Sequence, residues 1–232
     1  MKVLGIDTST RCESIGLIDG QEVLADYLCN LPVTHSERLL SSIAFVLRET
    51  RTPLEEIDAW AISLGPGSFT GLRIGVATIK GLAYATRKPV IGISSLEVLA
   101  APLVPTPYLI CPILDARKGE VYTAFFRCEE TKGLRRCTEF RALPPEDLTQ
   151  EIHEKVILVG DGVFTYGDRL KESLPSFALF PDPSLHHPRG SVVARLGSQL
   201  LSQGLRLPLE TFTPIYVRPS EAEIKWEAKH PI

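Results

Sequence analysis

The run Gly65-Pro66-Gly67-Ser68-Phe69-Thr70-Gly71-Leu72-Arg73-Ile74-Gly75 constrains this chain more than any other stretch. It follows an apolar strand-like segment, Ala59 to Leu64, and opens a helix predicted over 70–86. A glycine-rich turn between strand and helix is the setting of a phosphate loop, but that chemistry needs Gly-Lys-Ser/Thr so that an ammonium reaches the phosphates. The corresponding place here reads Gly71-Leu72-Arg73. The segment therefore points to tight turns and close helix packing. Along the helix, Leu72, Val76, Ile79 and Ala83 share one face. Gly71, Gly75, Thr78, Leu82 and Ala85 share a second, which Ile74 and Gly81 extend. Only Arg73, Ala77, Lys80 and Tyr84 remain for water. A helix apolar on two sides is buried on two sides. Each interior glycine costs about 1 kcal/mol against alanine, which close packing must offset. Two arrangements provide such packing: a central helix inside one domain, or a helix–helix contact with another subunit.

Composition narrows the function classes. The 232 residues, 44% hydrophobic and 23% charged, suffice for a full core in one or two domains and exclude a disordered chain. A net charge of -3 argues against this chain being the main surface for RNA phosphates, which is usually basic. The chain starts directly with a strand-like run, Lys2 to Ile6, so no leader peptide is expected, and no stretch is apolar enough for a bilayer span. Cys12, Cys29, Cys111, Cys128 and Cys137 are scattered with no Cys-x-x-Cys pair. That suits a reducing cytoplasm, where the chain is expected, and argues against a zinc knuckle or disulfide framework.

The order of elements suggests an α/β duplication. A meander over Val3–Ala25 leads to a helix from Thr34 to about Arg48, where Thr34-His35-Ser36-Glu37 reads as a capping box. Leu39, Leu40, Ile43, Val46 and Leu47 form a stripe for the chain's own core, and Phe45 lies opposite beside Arg38, Ser41 and Ser42. After the glycine segment and its helix come a strand at Val90–Ile93 and a second capping box, Ser94-Ser95-Leu96-Glu97. Prolines at 102, 105 and 107 mark a lobe boundary. The second half repeats the theme: strands at 108–114 and 121–128, a third over 136–143, a helix from Pro144, a buried strand at 156–159, and helices at 164–173 and 191–203. The expected division is a first lobe over 1–104, a smaller lobe over 105–218 and a polar tail over 219–232.

Candidate chemistry is sparse. Asp7-Thr8-Ser9-Thr10, in a strand-turn-strand, resembles the first phosphate hairpin of the actin, Hsp70 and sugar-kinase superfamily. Turn amides and hydroxyls suit an anion, which makes Asp7, Thr8 and Ser9 candidates for a nucleotide cleft; a capped turn explains them equally. No Gly-x-Ser-x-Gly elbow occurs, and the five histidines do not fall at metal-ligand spacing. Asp115, Glu120 and Asp161 sit at strand ends, as active-site carboxylates or as turn residues.

Ile6-Asp7-Thr8-Ser9, His35 to Leu40, Gly65 to Gly75, Asp115-Ala116-Arg117-Lys118-Gly119-Glu120-Val121-Tyr122 and Pro214-Ile215-Tyr216-Val217-Arg218 together resemble the bacterial TsaB (YeaZ) family, over nearly the whole chain. The resemblance implies an actin-like fold of two lobes, each a mixed sheet flanked by helices. It implies membership of the complex that makes threonylcarbamoyladenosine beside the tRNA anticodon, as the non-catalytic partner of the catalytic paralogue TsaD. The ATPase-type subunit TsaE joins through that complex, tRNA is met mainly through TsaD, and the chain alone can pair as a homodimer. TsaD carries a metal-binding His-x-x-x-His where this chain has Ser95 and Leu99. Leucine cannot ligate a metal and serine replaces imidazole poorly, so no metal is expected. The resemblance also puts the two N-terminal helices at the subunit interface, with Arg38, Ser42, Phe45, Gly71, Ile74, Gly75, Thr78 and Leu82 as its residues. No tightly bound cofactor is expected, with ATP a candidate at the interlobe cleft or subunit interface. The alternative reading is an ATP-binding phosphotransferase or ATPase working in that cleft, with Asp7 near the metal.

Overall fold

The computed structural model describes residues 1–31, 34–129, 133–218 and 226. Apart from Trp226, the expected polar tail lies outside the described residues.

The first lobe is a five-stranded sheet. Strands β1 (Lys2–Asp7), β2 (Glu13–Asp19) and β3 (Glu22–Cys29) form the antiparallel meander. Helix α1 (His35–Glu49) leads to β4 (Ala59–Gly65), α2 (Phe69–Thr86) leads to β5 (Val90–Ser94), and α3 (Ser95–Ala100) closes the unit. The order is β3-β2-β1-β4-β5, with β4 parallel to β1 and β5 parallel to β4. Every residue of β4 is buried, as its unbroken apolar run requires of a strand covered on both faces.

The second lobe repeats the plan in weaker form. Its strands are β6 (Leu109–Arg117), β7 (Glu120–Thr123), β8 (Phe126–Glu129), β9 (Gly133–Arg136) and β10 (Arg141–Leu143). Then come α4 (Pro145–Gln150), β11 (Val156–Val159), α5 (Gly162–Ser173) and β12 (Ala178–Leu179). The main path runs β10-β7-β6-β11-β12. The single strand expected over 136–143 is in fact two. The chain leaves β8 after Arg136 and pairs with β7 from Arg141 on, so it changes neighbour within the run.

Helix α6 (Gly190–Ser202) and the chain after it do not stay with the second lobe, contrary to the 105–218 expectation. Val192, Val193 and Ala194 of α6 share a buried cluster with Val3, Ala59 and Ile91 of the first sheet. The approach is backbone to backbone. A Cβ on Gly16 would lie 2.0 Å from the Ser191 amide nitrogen, and one on Gly190 would lie 2.2 Å from the Gly16 nitrogen. The Gly190 N–H donates to Ser14 Oγ at 2.8 Å. The first sheet is therefore covered by α1 and α2 on one side and by α6 on the other.

Neither capping box forms. Thr34 stands at the α1 N-cap, but its hydroxyl meets Ser36 Oγ at 3.0 Å rather than a helix amide. Ser94 caps α3 with no side-chain bond, and burial pushes the Glu97 carboxyl up. The glycine loop is the well-capped start: Ser68 Oγ accepts from the Gly71 N–H at 3.2 Å.

Candidate functional site: an interlobe cleft and a helical face

The two lobes close on a cleft of about 780 Å³. The β1–β2 turn, the glycine loop, the β6–β7 hairpin and the segment 215–218 line it. Asp7 and Thr8 end β1 fully buried, and only Ser9 of the three candidate residues reaches the cleft wall. Asp7 Oδ1 accepts from the Ser9 N–H at 2.9 Å and from the Ser9 hydroxyl at 2.8 Å. Burial raises the Asp7 carboxyl, opposed by the hydroxyls and amide of Ser63 and Ser9 and by His35. The Ser9 carbonyl in turn accepts from the Ser68 N–H at 2.6 Å. The hairpin is thus tied on itself and to the glycine loop. The Ser9 amide and hydroxyl are committed to Asp7.

On the opposite wall, Asp161 Oδ1 accepts from the Asp115 N–H at 3.0 Å. Burial lifts the Asp161 carboxyl to about 6. Asp115 accepts from the Arg117 N–H at 2.8 Å and from its guanidinium at 3.2 Å. Arg117 and Lys118 hold left-handed φ values of 64° and 56°, an unusual cost for non-glycine residues at a hairpin tip. Sequence reasoning singled out Asp115, Glu120 and Asp161 as strand-end carboxylates. It missed that Arg218 joins Glu120 and the Ala116 carbonyl across 98 and 102 positions of chain. Only the Pro214–Arg218 run carried a signal of it.

The α1–α2 face differs from expectation in detail. Gly71 and Gly75 are buried inside the chain. A Cβ on Gly71 would lie 2.1 Å from the Thr8 carbonyl oxygen, and one on Gly75 would lie 2.4 Å from Thr8 Oγ1. The glycine spacing is therefore accounted for by the end of β1, within the chain. Ser42 is also buried. Arg38 turns inward: its guanidinium lies 3.4 Å from the fully buried Glu13 carboxylate and donates to the Cys29 carbonyl at 3.2 Å. His35 joins them, with Nδ1 3.6 Å from Glu13 and Nε2 2.8 Å from the Thr10 carbonyl oxygen. The outward edge consists of Phe45, 41% exposed, with half-buried Ile74, Thr78 and Leu82. Leu40, expected in the core, is 61% exposed, and Tyr84 is 80% exposed. Ser95 and Leu99 of α3 are interior, and Leu99 belongs to the cluster that joins the lobes.

Two lobes of related topology closing on a cleft define the actin-like class. The model of a family described as TsaD, tRNA N6-adenosine threonylcarbamoyltransferase, matches residues 32–226. The tRNA threonylcarbamoyladenosine biosynthesis protein TsaB of Bacillus subtilis is 31% identical over 97% of this chain and 98% of its own length. The protein of that name from Escherichia coli is 32% identical over 99% of this chain and all of its own length. The solved structure of YeaZ from Pseudomonas aeruginosa superposes with a TM-score of 0.78 at 27% identity, over 93% of this chain and 99% of that one. The chain belongs to the TsaB (YeaZ) family of tRNA threonylcarbamoyladenosine biosynthesis proteins.

Proposed function

We propose that this chain is a non-catalytic subunit in tRNA threonylcarbamoyladenosine synthesis. It would pair through the outward edge of α1 and α2 with a catalytic TsaD-type partner and hold that enzyme in a competent state. The observation that carries the reading is at α3. The matching family model describes a transferase, yet where the resemblance places that enzyme's metal-binding histidines this chain has Ser95, a buried serine, and Leu99, a leucine of the apolar core. Leucine offers no lone pair to a metal.

Phe45 on α1, with the half-buried Ile74 and Leu82 on α2, supports pairing, because apolar side chains on neighbouring helices favour leaving water together. The same edge would pair two copies when the partner is absent. TsaE and tRNA would join through the catalytic subunit, and ATP would bind where subunits meet. No described helix is long and apolar enough to cross a membrane, and the five cysteines are free, which fits the cytoplasm.

The test is light scattering of the purified chain alone and mixed with a TsaD-type partner, using Phe45→Glu and Ile74→Glu. A one-to-one complex that both variants abolish while remaining folded is the expected result. Pairing unchanged in both variants sinks the interface. Turnover of ATP by the isolated chain, lost in Asp7→Ala, would favour the ATPase alternative. Gly75→Arg is a poor probe of the same face, since its side chain would strike Thr8 first.

A further inference from the structure

The chain leaving α6 runs back along the first lobe and then crosses to the second. The Leu207 N–H donates to the Val90 carbonyl at 2.8 Å, and Phe212 is buried in the first-lobe core. The Ile215 N–H donates to the Leu64 carbonyl, also at 2.8 Å. The Tyr216 ring lies 5.0 Å from that of Phe69, and its hydroxyl accepts from Arg73 Nε at 3.0 Å. Two residues later the chain is tied to the other lobe. The Arg218 guanidinium pairs with Glu120 and donates to the Ala116 carbonyl at 2.6 Å, beside the tip of the β6–β7 hairpin. Ile215, Tyr216, Val217 and Arg218 all line the cleft. Elsewhere the lobes meet at α3, and Leu134 of β9 packs against the α6 cluster of the first lobe. Leu96, Leu99 and Ala100 of α3 share one buried cluster with Ile110, Phe126 and Val159 of the second lobe.

We propose that residues 214–218 form a strap that closes the mouth of the cleft and fixes the angle between the lobes, with Arg218 as the latch and the α3 contact as the hinge. Apolar packing is non-directional, so the α3 contact alone sets where the lobes touch and only weakly how far they open. A guanidinium held by a carboxylate and a carbonyl is directional and strong for its size. Both partners of the Arg218–Glu120 pair are about 30% exposed, so water screens it only in part. The first-lobe end of the strap rests on backbone and ring contacts that do not involve Arg218. Releasing one side chain therefore frees the mouth while the strap stays on its own lobe. This device stands on the cleft geometry and does not depend on the pairing proposed for α1 and α2.

Hydrogen exchange of the full chain, with small-angle scattering on the same samples, tests it. Arg218→Ala should speed exchange in segments 115–122 and 214–218 about tenfold or more, in line with loss of a charge-assisted bond. It should also increase the radius of gyration and leave β4 and α2 as protected as before. Glu120→Gln, which keeps the shape and removes the charge, should act on the same segments by a smaller factor. The double variant Arg218→Ala/Glu120→Ala should open the cleft no further than Arg218→Ala alone. Unchanged exchange and radius in Arg218→Ala would overturn the strap. Acceleration spread through the cores of both lobes would overturn it too, by assigning Arg218 to folding rather than to opening.

Discussion

Replacing Gly75 by alanine separates the two explanations of the glycine spacing on α2. In an exposed helix interior the change gains about 1 kcal/mol from backbone entropy. Here the new Cβ would lie 2.4 Å from Thr8 Oγ1, closer than real contacts allow, while Ile62 Cδ1 at 3.5 Å and Thr8 Cβ at 3.6 Å are ordinary neighbours. Thr8 is fully buried, so its hydroxyl has little room to turn away. Overpacking of this kind costs about 1–3 kcal/mol. The net expectation is destabilisation by about 1 kcal/mol, with the clash outweighing the propensity gain. The offending atom is a single oxygen without a hydrogen-bond partner. In a Thr8→Ala background the clash is gone, and Gly75→Ala should change sign and stabilise by up to about 1 kcal/mol. Urea unfolding of the four proteins gives the coupling directly, expected at about 1–3 kcal/mol. Equal effects of Gly75→Ala in both backgrounds would refute the argument, and the small-residue face would again need a partner outside the chain to explain it.

Two further outcomes follow from titration behaviour. The Asp161 carboxyl has a folded value of about 6 against an ordinary 3.8, so the folded chain holds this proton more tightly than the unfolded one. Stability then falls as pH rises from about 4 through 6, by about 2–3 kcal/mol from this group. Asp161→Asn keeps an acceptor for the Asp115 amide and should remove that part of the slope; urea melts at pH 4.5 and 7.5 with an unchanged difference would contradict it. Among the thiols, burial pushes Cys12 and Cys111 up to about 12, whereas Cys137 is exposed. A native thiol-labelling time course should modify Cys137 first and leave Cys12 and Cys111 untouched until the chain unfolds. Early labelling of Cys111 would show that the second-lobe core opens far more readily than its packing implies.

The linear order of the chain was enough to read the meander, the β4–glycine loop–α2 unit and the repeat of that theme in the second half. Each rests on local periodicity and turn chemistry, and α2, expected over 70–86, spans Phe69–Thr86. Of the candidates that sequence offered, Ser9, Asp115 and Asp161 line the cleft, whereas Asp7 and Thr8 are buried beside it and Glu120 stands outside its lining. Sequence predicted α2 buried on two sides; of the second face Gly71 and Gly75 are buried while Gly81 and Ala85 are exposed, and sequence could not say against what those two buried glycines pack. The neighbour proved to be Thr8, some 60–70 positions away in the chain, and periodicity carries no record of which backbone comes within 3 Å of a missing Cβ. The same limit applies to α6, whose apolar stripe calls for a sheet without naming it, and to Arg38, whose charge suggests water until buried Glu13 is placed beside it. The break between β9 and β10 and the tie from Arg218 to Glu120 belong to this class as well. Local physics fixes what each segment must bury or satisfy. Only the tertiary structure decides the partner, because the candidates are many, similar in chemistry, and distinguished solely by where the closed chain brings them.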